Sequence, residues 1–332
     1  MSTVQNAFGA ALGAPMSAMA LSAINLPFGQ FIKPGGRVAA YVRSTGAQDL
    51  DDLHVRDNLV ATIDAGLKRC RSGHNDVVLV LPGHTESVSG ADGWPSLVAG
   101  SQIVSCGRPG ASNNPTVTFD TAATAQLAID VADVSIVGMT FDFTGLDNIT
   151  NPILVTARGF SFVGNHVVYQ SATASAQPVD GIVLGAGAHN CVISGNKFLS
   201  DDAGEANAGS VILIGASAAL ALKDVEVSHN YIIGAITEAA TDALIMVATT
   251  GSAISIKDND LYVLSATGDC AVRAAAVAAS GVIARNKIRL TEDVAANTVG
   301  VIMGAGGAWL LYENGVAGAN ASVITPTPAA DS

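Results

Sequence analysis

Residues 191–198 read CVISGNKF, and the same form returns at FSFVGNHV (160–167), VEVSHNYI (225–232), ISIKDNDL (254–261), GVIARNKI (281–288) and WLLYENGV (309–316). Each phrase is an apolar alternation, a short polar corner centred on asparagine, and a second alternation. An earlier copy, VSIVGMTF (134–141), carries Met139 where the others carry Asn165, Asn196, Asn230, Asn259, Asn286 and Asn314. Successive copies of this position lie 26, 31, 34, 29, 27 and 28 residues apart. Self-similarity at such a period marks a solenoid, in which each repeat buries its apolar face against its neighbours. Each interval is long enough for one coil of three short strands and their turns. Period two on both sides of the asparagine marks strands whose alternate side chains point inward. Asparagine is the favoured non-glycine residue at a left-handed or bridging corner, and its amide can bond nearby backbone. Stacked coil upon coil, these residues predict a hydrogen-bonded asparagine ladder that Met139 interrupts.

A third strand lies between the phrases, in GIVL (181–184), SVILI (210–214), ALIMV (243–247), CAVR (270–273) and VGVIM (299–303). Earlier strands of the same style are DVVLVL (76–81), SQIVS (101–105) and TVTF (116–119). A leucine-rich repeat needs a shorter period, and a propeller needs longer blades with aromatic marks. The fold predicted is all-β: a single-stranded, right-handed parallel β-helix over residues 75–318.

The flanks read differently. Residues 1–38 hold no acid and only Lys33 and Arg37 as fixed side-chain charges, with Gly9, Gly13, Pro27, Gly29, Pro34, Gly35 and Gly36 among small uncharged residues. They are expected to form an extended arm that gains order against a neighbour. With no basic start and a weakly hydrophobic centre, they do not read as an export signal. Residues 39–74 are expected to hold a connecting strand and an amphipathic helix over 53–70, with Leu59, Ile63 and Leu67 at four-residue spacing and Gly73 past its end. That helix is placed to cap the first coil. Residues 319–332 read as a frayed tail.

Composition narrows the function. Apolar residues make up 49% and aromatic ones 5%, a mixture of Val, Ile, Ala and Leu that suits a long, thin core. Acids exceed Lys plus Arg by 28 to 16, a formal charge of −12, which makes nucleic acid a poor partner. No apolar run is long enough to cross a membrane. Charged residues are only 13% of the chain, so part of the surface is expected to lie under sister subunits or another protein. Cys70, Cys106, Cys191 and Cys270 are far apart and read as buried thiols rather than metal ligands or staples.

The candidates for chemistry are few. Glycosidic cleavage needs carboxylates converging on a groove, and Asp180, Asp201, Asp202 and Glu205 are available, the last three in one loop that reads more simply as a solvated turn. His84 and Glu86 could relay a proton, yet they sit where a polar corner should follow the first strong strand. Asp92 and Trp94 lie nearby, with the indole expected to seal the base. His166 and His229 adjoin the ladder about two coils apart, too far for an assumed metal pair. Gly138, Gly164 and Gly195 belong to the turn, with no phosphate-loop context. No catalytic, cofactor or metal site is assigned; the structural site is the ladder.

On these residues the sequence resembles the β-helical structural proteins carried by tailed bacteriophages. The Gly164-Asn165 and Gly195-Asn196 corners are shared by β-helix families generally, the pectate-lyase-like fold included, over roughly three-quarters of the chain. The front phrases YVRSTG (41–46) and LVLPGHTE (79–86) look like proteins encoded among phage capsid genes. Pectate-lyase-like enzymes carry an acidic calcium cluster and an arginine on one groove, and no such set maps onto positions here. The resemblance implies a non-enzymatic capsid decoration or cement protein, without cofactor. It would be a homotrimer at the capsid surface of the virion, assembled in the host cytoplasm, that bridges capsomers and reaches the major capsid protein through residues 1–38. Two alternatives stay open: a tail-fibre or tailspike component that binds or cleaves polysaccharide, and a secreted adhesin.

Overall fold

A computed structural model describes residues 36–44, 57–120, 122–144, 149–170, 178–200, 209–215, 221–234, 243–264, 270–274, 279–290, 300–303 and 307–317. Among them lie three sheets of 12, 9 and 7 strands, and every strand pairing is parallel. One circuit shows the winding. Ser135–Val137 lies in the first sheet, Thr140–Asp142 in the second and Ile153–Val155 in the third; Ser161–Val163 then pairs onto Ser135–Val137 one rung on. This is a single-stranded parallel β-helix.

Register converts the sequence alternation into columns. In the first sheet Val78, Ile103, Ile136, Phe162, Ile193, Val227, Ile256 and Ile283 stack inward as register partners, all buried. The second sheet supplies Val117, Phe141, Val167, Phe198, Ile232, Leu261 and Ile288, and the third supplies Leu127, Ile153, Ile182, Ile212, Ile245, Val272 and Val301. Burying each such side chain contributes about 1.5–3 kcal/mol before conformational entropy is set against it. The strands are short, so this repetition supplies the core that no single coil could make. Phenylalanine fills the lower coils, where the Phe141 and Phe162 ring centroids are 5.4 Å apart and those of Phe119 and Phe143 5.1 Å.

The corner between the first and second sheets is two residues long, and its left-handed residue is not the asparagine. It is the residue before it: Gly138, Gly164 and Gly195 at φ of 73°, 62° and 66°, then His229, Asp258, Arg285 and Glu313 at 56°, 58°, 52° and 55°. This corrects the expectation that Asn takes the left-handed corner. Bearing a side chain in that region costs about 1–2 kcal/mol. At Arg285 an ion pair to Asp258 on the coil before offsets the cost, through contacts of 2.6 and 2.7 Å. Glu313 makes no side-chain hydrogen bond or ion pair among the described residues. Glu313→Gly should therefore strengthen the last coil by about 0.5–1 kcal/mol after the entropy cost of glycine. Amide exchange across residues 308–317 should slow by roughly two- to five-fold; unchanged exchange would mean that the corner is unstrained.

The N-terminal end departs from expectation twice. The first sheet begins at Val38–Val42, which pairs with Val77–Val80, so the solenoid starts well ahead of residue 75. Leu59–Val60, read as helical, is instead the outermost strand, paired with Tyr41 and Val42. Backbone pairing with an otherwise open edge outweighs the four-residue spacing there. Past this strand a helix, α1, spans Ile63–Leu67, with the Thr62 hydroxyl accepting from Ala65 N at 3.1 Å. It does cap the first coil: Ile63 and Leu67 are fully buried, and Gly66 lies so close to the sheet that a Cβ would sit 2.9 Å from Val78 Cγ1. No helix among the described residues is long and apolar enough to cross a membrane. Residues 1–35, 53–56 and 319–332, which hold most of the arm, the start of the expected helix and the tail, lie outside the described residues.

Candidate functional site

The asparagine ladder is continuous from Asn165 to Asn314. At each step the Oδ1 of one asparagine accepts both the backbone N–H and the Nδ2 of the asparagine one coil earlier. For Asn196 and Asn230 these contacts measure 3.0 and 2.9 Å; for Asn230 and Asn259 both are 3.0 Å. The second Nδ2 proton goes to a strand carbonyl on the preceding coil, as from Asn196 to Phe162 O at 2.9 Å and from Asn230 to Ile193 O at 2.9 Å. Asn165, Asn196, Asn230, Asn259 and Asn286 are all buried, so these bonds satisfy amides that water cannot reach.

Towards the N-terminus the ladder position is held by Met139, Pro115 and His84, each preceding the register-matched Thr140, Thr116 and Thr85. Asn165 closes the ladder by accepting the Met139 N–H at 2.9 Å. Asn114 then takes over from one residue earlier. It accepts from Ser105 Oγ at 2.8 Å and donates to Gly138 O at 3.1 Å and Thr140 Oγ1 at 2.8 Å. Sequence reading missed this residue, because Pro115 displaces the asparagine from its usual place in the phrase.

His84 and Glu86 hold the base together. Glu86 occupies an inward position of the second sheet, in register with Val117, where later coils carry apolar residues. Its Oε2 accepts from Ile63 N at the start of α1 at 2.7 Å and lies 3.1 Å from His84 Nε2. Its Oε1 accepts from the indole of Trp94 at 3.3 Å. With His84 and Trp94 buried, this carboxylate joins corner, helix and seal, and the histidine faces no open groove. Trp94 seals the base, as its sequence position suggested. Asp92 has its carboxyl pKa raised by burial and by Asp130 and Asp64.

At the start of the strand Val77–Val80, Asp76 is fully buried and accepts from Arg37 N at 3.1 Å, Arg71 N at 2.9 Å, Arg71 Nε at 3.0 Å and Arg71 Nη2 at 2.9 Å. Burial alone would raise its pKa. The Arg71 guanidinium and the two backbone N–H groups outweigh that and hold it at about 2.

Of the carboxylates considered for glycosidic cleavage, Asp180 accepts from Ser210 N on the next coil at 2.7 Å. Asp201, Asp202 and Glu205 lie outside the described residues. Among the described residues no group of three or more His, Cys, Asp and Glu is placed to hold a metal. None of the four cysteines is in a disulfide, and burial pushes the Cys70 and Cys106 thiols up to about 12 and Cys191 to about 11. Such thiols are poor nucleophiles at neutral pH.

His166 and His229 stand apart, as expected. His229 is an exposed corner residue. His166 instead lines a cleft of about 400 Å³ together with Arg108, Pro109, Gly164, Asn165, Gly195 and Lys197. No motif marks it, because Arg108 comes from a loop that reaches across an intervening coil.

Compared with family models, with curated proteins and with solved structures, the chain shows no match.

Proposed function

We propose that the protein is a non-enzymatic structural component of a tailed-phage head, a decoration or cement protein. In this reading it acts as a homotrimer that bridges capsomers, with residues 1–38 engaging the major capsid protein. The observation that carries the reading is the contrast between the two ends of a stiff post. At the base, α1, Trp94 and Glu86 close the core. At the far end, Trp309, Leu311 and Val316 continue the inward columns only partly buried, while Leu310 and Tyr312 are 59% and 40% exposed. A rod whose described residues close one end and leave the other apolar and partly exposed suits attachment better than turnover. The front phrases and the low charge content support the same reading.

The test is electron microscopy of the native assembly, with and without residues 1–38. Density at shell three-fold or inter-capsomer positions that vanishes with the arm is the expected result. Density confined to a tail or fibre, independent of the arm, would reject it. The second reading, a tail component that binds polysaccharide, is favoured by the cationic cleft beside the exposed Tyr231 ring.

A further inference from the structure

The outer face of the second sheet carries a column set by register: Thr140, His166, Lys197 and Tyr231 on successive strands. Neighbouring strands are about 4.8 Å apart, so these side chains are adjacent. Across from them, the loop after Gln102–Ser105 leans over the sheet. It turns tightly, with Ala111 N donating to Arg108 O at 3.0 Å, and Gly110 takes a φ of 76°. Gly110 lies directly against the imidazole, since a Cβ there would fall 2.5 Å from His166 Nδ1. The loop is thus one wall, Gly164–His166 the floor, and Lys197 the other wall.

Two features of this cleft point to one kind of ligand. Arg108 and Lys197 form no ion pair among the described residues, in a chain of net charge −12 where other cations do find carboxylates. The Lys197 ammonium lies 6.0 Å from the centre of the Tyr231 ring, which is 36% exposed and follows Lys197 one strand on along the same outer face. Two unneutralised cations around one hollow match an oxyanion, which accepts several charge-assisted hydrogen bonds at once.

We propose that this cleft binds an oxyanion, with Arg108 and Lys197 as its counter-charges. The volume also admits a single sugar ring. The oxyanion is then either a free inorganic ion or the carboxylate of a uronic sugar stacked on Tyr231. The site does not depend on where the protein sits in a particle.

Calorimetric titration of the full chain with inorganic phosphate, sulfate and glucuronate tests this, with glucose as the neutral control. Millimolar binding of at least one oxyanion is expected, together with a loss of about ten-fold or more in Arg108→Ala and Lys197→Ala. Both residues are exposed, so these variants should melt like the parent protein. If Tyr231→Ala weakens glucuronate and spares phosphate, the ligand is the sugar acid; if it spares both, the ligand is the free oxyanion. Absence of binding by all three oxyanions at 20 mM would overturn the proposal, as would affinity unchanged in a folded Arg108→Ala/Lys197→Ala double variant.

Discussion

Asn230→Ala should be among the most damaging single substitutions in the chain, lowering stability by roughly 3–5 kcal/mol. The alanine removes four side-chain hydrogen bonds: those accepted from Asn196 N and Nδ2, and those donated to Ile193 O and Asn259 Oδ1. Asn196 N and Ile193 O then remain in the interior without these partners. No neighbouring side chain can replace them, because each asparagine already serves the next coil. For an ordered region of this size the thermal midpoint should fall by about 8–15 °C. Asn314→Ala is the control. Its partners, Asn286 and Ile283 O, are the same in kind, but the site is only half-buried and water can substitute, so a loss of about 1 kcal/mol is expected. Equal losses at the two positions would show that the ladder contributes only local bonds.

Asp76→Asn should cost roughly 2–3 kcal/mol at neutral pH, and the cost should depend on pH. The folded-state pKa of about 2 lies below the ordinary carboxylate value, so ionised Asp76 stabilises the fold fully above about pH 4–5. That contribution disappears as pH falls through the folded value. The stability difference between the native protein and Asp76→Asn should therefore be constant from pH 7 to 5 and shrink between pH 4 and 2. An asparagine also turns donor atoms towards the Arg71 guanidinium, which has none to accept them. Thermal melts across this range give the answer; a pH-independent difference would assign the cost to lost packing instead.

The coil architecture was legible because the repeat states it twice, in the alternation and in the asparagines, and each third strand read between the phrases is present. Three features were hidden for separate physical reasons. Leu59 and Ile63 are four apart, yet Leu59 joins a strand and Ile63 a helix, because the edge offered by Val38–Val42 satisfies backbone that local spacing would have coiled. The left-handed corner falls on the residue before the asparagine; His229 and Asp258 are types enriched at positive φ, but Arg285 and Glu313 give no hint of it, and the recurrent asparagine is the more conspicuous candidate. Glu86 breaks the inward apolar column at the first coil, which sequence could show only once Thr85 was in register with Thr116. The cleft depends on Arg108 and Lys197, 89 positions apart in the chain, and only the stacking of coils brings them to one hollow. Asp180 reads as a possible acid in sequence and proves to bond the neighbouring coil's backbone.

The most direct measurement is residue-resolved hydrogen exchange of the native protein along the ladder. Each of the Asn165, Asn196, Asn230 and Asn259 backbone N–H groups donates to the next asparagine's Oδ1 at 2.9–3.1 Å in the interior. A cooperative spine predicts that these four amides exchange together, at the slowest rate in the protein, and that Asn230→Ala accelerates all of them. Exchange at four unrelated rates, with Asn230→Ala affecting only its two neighbours, would contradict a continuous ladder and leave a stack of independent coils.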